Sequence, residues 1–285
     1  MYSRPSVVGL VVRYTLIGLA LLYALFPVLW ILSASFNPTN NLLEQRLFPA
    51  NPTLEHYRRL FTDPTVPFPR WILNTLQVSG ITSVITVFLC ALGAYAFSRF
   101  RFRGRRAGLL GLLLVQMFPQ MLAMVAIYLL LIKIKEFVPW LGYNTHPGLI
   151  MVYLGGAMGF NTWFMKGYFD TIPRSVEESA LVDGATPFQA FLRIVLPLAR
   201  PILAVVLIIQ FITTYSEYVL ASILLKGTDM YTLSVGLRFF IQQAYDRRWG
   251  AFSAAAILGA LLILAIFLPL QKLIISGLTG GAVKE

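Results

Sequence analysis

The chain has 285 residues, 58% hydrophobic and only 12% charged, with a mean hydropathy of +0.73. Soluble domains carry about 25% charged residues, so composition excludes a soluble globular protein and points to an integral membrane protein. The formal charge of +11 does not mark a nucleic-acid binder, because the basic residues sit in short segments between apolar runs, as the positive-inside rule expects.

In chain order, Tyr14 to Leu32 is uncharged and predicts a first span of about 28 Å against a hydrocarbon core of about 30 Å. Ser33-Ala34-Ser35 has the small residues of a signal-peptidase site, but the apolar run is too long for a signal peptide, so the span is read as retained. Residues 36–70 read as a polar external segment with turns at Asn37-Pro38 and Asn51-Pro52. A second span is predicted over 71–97. It is followed by Arg99, Arg101, Arg103, Arg105 and Arg106 with no acid among them, which assigns this loop to the cytoplasm. The third span, 107–132, should kink at Pro119 and turn Gln116 and Gln120 toward protein or a cavity. A short external loop over 133–146 follows. The fourth span, 148–165, carries a close-packing pair, Gly155 and Gly159.

The fifth span, 201–225, holds Glu217, the one acid at membrane depth. It is expected either to line a gate or pathway or to serve as a packing or snorkelling residue. Residues 226–250 form an external loop. The sixth span, 251–275, has a second close-packing pair, Ala255 and Gly259. Six spans place both termini in the cytoplasm, with the arginine loop deciding the orientation. The single cysteine, Cys90, lies within a span, so no intrachain disulfide can form.

Between the fourth and fifth spans, Thr171 to Pro201 is the least membrane-like stretch, and it reads as two short helices over 172–197 joined by a turn. Ser175 and Glu178 have capping-box spacing, Gly184 ends the first helix, and Thr186, Pro187 and Gln189 restart it with a second capping box. Phe188, Phe191, Leu192 and Val195 recur at helical spacing and predict one apolar face. No phosphate-binding loop, nucleophile elbow, metal-spaced histidine pair or Cys-x-x-Cys motif occurs, and the spans lack the acid and histidine chain of a proton-driven carrier. Any driving force must therefore come from outside the chain. An autonomous channel or secondary carrier and an intramembrane enzyme are the competing classes.

Glu178-Ser179-Ala180, Gly184 and Ile194-x-Leu196-Pro197 resemble the EAA signature of ABC-importer permeases, with Ser179 where alanine is usual. The stretches AYAFSRFRFRGR (94–105), QMFPQMLAMVAIYLL (116–130), GYNTHPGLIMVYLGG (142–156), DGATPFQAFLRIVLPLARPILAVV (183–206) and GLTGGAVK (277–284) extend the likeness. The chain is similar to carbohydrate-uptake permeases, in particular the smaller membrane subunit of maltose/maltodextrin importers. That resemblance implies an all-α, type I importer permease fold of six transmembrane helices, forming a single domain over 1–285 in the bacterial inner membrane.

It also implies a larger membrane partner, a homodimeric ATPase that binds ATP and Mg, and an extracytoplasmic sugar-binding protein. The chain itself would hold no cofactor and catalyse nothing. By the same resemblance, Glu178, Ser179, Ala180, Asp183, Gly184, Ile194, Leu196 and Pro197 would form the ATPase-coupling element. The tail at Ser276, Gly277, Thr279 and Gly280 would lie against the ATPase. Gln242, Gln243, Tyr245 and Asp246 would form the loop tip that reaches the binding protein. Maltose, maltodextrins, trehalose and glycerol phosphate all stand as cargo.

Overall fold

The computed structural model describes residues 7–41, 44–242 and 247–280, apart from the side chains of Gln120 and residues 272–280. Helix is the regular secondary structure of the described residues, and none of them forms a strand. The chain divides into two compact units, Met1–Pro69 with Gly236–Leu261, and Arg70–Val235 with Leu262–Glu285.

In the first unit, α1 (Val7–Phe36) is apolar on every face from Tyr14 to Leu32 and mostly exposed until its last turn, the pattern of a helix solvated by lipid. Ser33, Ala34 and Ser35 are its buried residues. The Ser33 hydroxyl donates to the Arg46 carbonyl at 2.6 Å, and Ser35 and Tyr57 share a 2.7 Å hydrogen bond. The amphipathic α2 (Glu55–Thr62) buries His56, whose Nε2 lies 2.8 Å from the Asn37 carbonyl. Gly250, in the first turn of α13 (Trp249–Gly280), lies against that imidazole. A Cβ there would sit 2.1 Å from His56 Nε2, so only glycine fits. Ala254, Ala255 and Gly259 form a buried small-residue face along α13.

The second unit is built around α6 (His146–Phe169), started by the Thr145 side chain, which accepts from the Gly148 N–H. Toward the end of α6, Met165 and Phe169 pack with Cys90, Ala91, Ala94 and Tyr95 of α3 (Phe68–Arg99). Toward its start, Leu149, Ile150 and Tyr153 pack with Leu131, Leu220, Ala221 and Leu224. The expected third span is in fact two helices, α4 (Arg105–Met117) and α5 (Gln120–Phe137), bent by 98°. The missing N–H and ring of Pro119, at the break, forbid continuation, a larger effect than the expected kink.

Of the expected close-packing pair, only Gly159 is in contact. A Cβ there would lie 2.5 Å from the Leu112 carbonyl oxygen and 2.7 Å from Gln116 Cγ, whereas a Cβ at Gly155 would meet nothing within 4 Å among the described residues. Gly159→Leu should therefore destabilise the protein by about 1–3 kcal/mol or more, because the obstacle is backbone that cannot rotate aside. Gly155→Ala, in mid-helix with room for the methyl group, should not lower the unfolding temperature and should raise it slightly, and the pair of melting curves checks the difference.

The elbow comprises α7 (Arg174–Val182), α8 (Pro187–Ala190), a π turn (Phe191–Val195) and α9 (Leu196–Leu198). The chain then turns by 77° into α10 (Arg200–Ser216). The predicted continuous fifth span is interrupted after Ser216 and resumes as α11 (Val219–Leu224). The segment read as an external loop carries a further helix, α12 (Leu233–Phe239). Its approach is pinned by Trp71 donating to the Thr228 carbonyl at 2.7 Å and by Asn74 donating to Asp229 and Tyr231 carbonyls at 2.8 and 2.9 Å.

Among the described residues, α1, α3 and α13 (to Gln271) are each long and apolar enough to cross a membrane, and the two bent pairs raise the number to five. The remaining helix of comparable length is α6, with 24 residues or about 36 Å, its hydropathy diluted by glycines, Asn161 and Lys166.

Candidate coupling site

The elbow's conformation follows from local chemistry. Pro173, with φ at −58°, precedes α7, so Ser175 falls inside the first turn and no side chain caps this end. The expected Ser175–Glu178 capping box is therefore absent. Proline's fixed φ at Pro173 starts the helix at Arg174, one residue before Ser175, whose carbonyl instead accepts the Ser179 hydroxyl at 2.9 Å. At the other end, Gly184 adopts φ +89°. Its N–H bonds to the Leu181 carbonyl at 3.1 Å, while the Ala185 N–H reaches back to Ala180 at 2.9 Å. This pair of bonds is a Schellman motif. The second capping box forms as expected, with Gln189 N–H to Thr186 Oγ1 at 3.2 Å and Thr186 N–H to Gln189 Oε1 at 2.9 Å.

The predicted apolar face is split. Phe191 and Val195 are fully buried among Ala94, Tyr95, Met165 and Phe169, worth about 1.5–3 kcal/mol each. Phe188, in α8 ahead of the π turn, and Leu192, within it, stay 56% and 40% exposed. Glu178, Ser179, Asp183 and Gly184 are exposed, Ala180 is half-buried, and Val182 at 87% is nearly bare. Ile194, Leu196 and Pro197 are half-buried farther along. Gln242 is exposed, whereas Gln243, Tyr245 and Asp246 lie outside the described residues. Ser276, Gly277, Thr279 and Gly280 lie on α13, with their side chains outside the described set.

Sequence reasoning missed what clamps α7. Arg99, the last residue of α3, donates from Nε to Glu177 Oε1 at 2.5 Å, with each side chain only 8% exposed. The same guanidinium donates to the Ile172 carbonyl and the Ser98 hydroxyl, both at 3.0 Å. The Ser98 hydroxyl in turn donates to Asp170 at 2.6 Å, and Lys166 pairs with the same carboxylate. The nearest sequence signal was the arginine run itself, which topology alone had explained.

Burial pushes the Asp170 carboxyl up, but the hydrogen bonds from Lys166 and Ser98, with the nearby positive charges of Lys166 and Arg105, outweigh it and leave the pKa below its ordinary 3.8. A depressed folded pKa stabilises above the ordinary value, and that stability is lost as pH falls through the lowered one. Asp170→Asn should therefore lower the unfolding temperature at pH 7, with the difference from wild type shrinking as pH falls below 3.8. A gap that persists unchanged at acid pH would rule out the charge as its cause.

Glu217 follows the end of α10 with extended backbone (φ −68°, ψ 124°). Its carboxylate accepts from the Leu220 and Ala221 N–H groups at 2.8 and 3.0 Å and from the Tyr153 hydroxyl at 2.5 Å. The carboxylate thus satisfies free N–H groups at the start of α11, which explains why the chain breaks here.

The family model for the binding-protein-dependent transport system inner membrane component matches residues 87–279, a span that includes the whole elbow. The chain belongs to this family. It is similar to the maltose/maltodextrin transport system permease protein MalG of Vibrio vulnificus (strain YJ016), with 44% identity over 271 residues, 91% of this chain and 90% of that one. The protein of the same name from Escherichia coli (strain K12) is 40% identical over 286 residues, 96% of each chain. Among solved structures, a bacterial ABC transporter involved in the import of the acidic polysaccharide alginate matches with a TM-score of 0.77 at 26% identity, covering 95% of this chain and 98% of that one. This permease is therefore a non-catalytic, multi-pass subunit of the inner membrane with the ABC-importer permease fold.

Proposed function

We propose that this permease is the smaller membrane subunit of an ATP-driven importer of maltose/maltodextrin-like sugars. Identity of 40–44% over nearly the full length to relatives bearing that name is the observation that carries the reading. Its partners are a larger permease subunit, a homodimeric ATPase that binds ATP and Mg, and an extracytoplasmic sugar-binding protein. Both termini face the cytoplasm.

The elbow is the ATPase-docking element. Its exposed Val182, Phe188 and Leu192 supply apolar contact, and Glu178 and Asp183 supply charge at the rim. Ser179, Ala180 and Gly184 keep the approach close, and Ile194, Leu196 and Pro197 fix the second helix beneath it. Ser276, Gly277, Thr279 and Gly280 lie along the ATPase dimer, while Gln242, Gln243, Tyr245 and Asp246 face the binding protein. Glu217 belongs to the pathway wall.

Reconstitution tests this reading. Proteoliposomes holding the permease, its larger partner and the ATPase should accumulate maltotriose only with ATP and the binding protein, and the permease alone should pass none. Flux through the permease alone, or uptake of trehalose or glycerol phosphate in place of maltotriose, would overturn the assignment.

A further inference from the structure

Polar side chains at membrane depth are costly unless paired or wetted, so a row of them marks a pathway. In the second unit such a row follows a groove of about 300 Å³ between α6 and α10. That volume is at the lower end of small-molecule sites, about 300–1,000 Å³. Asn161 donates to the Gln210 side chain at 3.2 Å and to the Ala157 carbonyl at 2.9 Å, and Gln210 donates to Thr214 Oγ1 at 3.1 Å. Both amides are 8% exposed. Their geometry is therefore set by one another before any ligand arrives. Thr213 is exposed on the same wall.

The one formal charge among the described lining residues, Glu217, is committed, because Oε1 accepts from Leu220 and Oε2 from Tyr153 and Ala221. Among the described residues no lysine or arginine lines the groove. A wall with amide and hydroxyl donors and acceptors but no spare charge suits a neutral polyhydroxyl ligand and offers nothing to a phosphate. At its edge Phe160, 54% exposed, stacks on Phe164 at a centroid distance of 6.0 Å and an interplanar angle of 10°. This gives a supported apolar plate of the kind on which the C–H face of a sugar ring can lie.

We infer that the groove between α6 and α10 is a subsite for a neutral sugar in transit, with Phe160 as its stacking plate and Asn161, Gln210 and Thr213 meeting hydroxyls. This rests on the function proposed above and narrows the cargo to uncharged sugars.

The test uses the complete transporter in proteoliposomes, with Thr213→Cys placed on a Cys90→Ser background and a small hydrophilic thiol reagent. Maltotriose delivered by the binding protein during ATP turnover should slow labelling roughly tenfold when its level is about ten times the dissociation constant, since occupancy protects as one plus that ratio. Glycerol 3-phosphate should give no protection. Adding Phe160→Ala should remove most of the protection, and Phe160→Tyr should restore it. A purely structural role for Phe160 predicts instead that turnover falls while protection persists. Unprotected labelling in a transporter that imports maltotriose normally overturns the subsite alone. No maltotriose import by the wild-type complex overturns the proposed function with it.

Discussion

Glu177→Gln is expected to lower the stability of the permease by about 3–5 kcal/mol, because it leaves the Arg99 guanidinium buried without its counter-charge. Few other single changes here should cost as much, and the change touches no exposed residue of the elbow. Replacing both partners, as Arg99→Met with Glu177→Leu, should return most of that stability, since a well-packed apolar pair often matches a buried ion pair.

Transport should not return with it. Arg99 also holds the Ile172 carbonyl ahead of α7, and Ser98 beside it holds Asp170 at the end of α6, so this corner ties three helices together through directional bonds. Methionine and leucine restore packing but not that direction. Thermal unfolding of the purified complex, read beside ATP-driven uptake, separates the two effects. A singly substituted protein as stable as wild type would show that the pair is not a clamp, and a double variant that transports normally would show that it transmits nothing.

What was legible in the sequence is what is encoded within a few residues. Gly184, Thr186 and Gln189 form the expected caps because each acts on backbone three or four positions away. The Arg99–Glu177 pair joins residues 78 positions apart, and nothing local marks which of five arginines turns inward. The Ser175 capping box failed because Pro173, two residues earlier, imposes its own start. The apolar stripe from Phe188 to Val195 was real in composition, but only Phe191 and Val195 reach the core, and the π turn that holds them together with Leu192 is silent in the pattern. Likewise the break at Glu217 could not be seen in an apolar run, where an unbroken helix satisfies periodicity equally well. In that run only the carboxylate hinted that backbone N–H groups needed a partner.

Gly184→Val is expected to abolish sugar uptake while leaving the permease folded and assembled in the membrane. At φ +89° an ordinary L-residue is strained by about 1–2 kcal/mol, and a β-branched one by more. Among the described residues of the permease a Cβ at Gly184 meets nothing within 4 Å, so no clash within the permease adds to this. The strain must be relieved by losing the Schellman bonds from Gly184 to Leu181 and from Ala185 to Ala180, which unwinds the end of α7. The buried Phe191, Val195 and Glu177 lie on either side and are untouched, so the body of the fold should persist.

A frayed turn between two short helices would absorb displacement rather than pass it on, and ATP hydrolysis by the assembled complex should continue without sugar movement. Gly184→Asn provides the control, because asparagine tolerates positive φ and should retain most uptake. Equal loss with asparagine and valine would mean that the missing side chain at Gly184, and not its backbone angle, is what the docking surface requires.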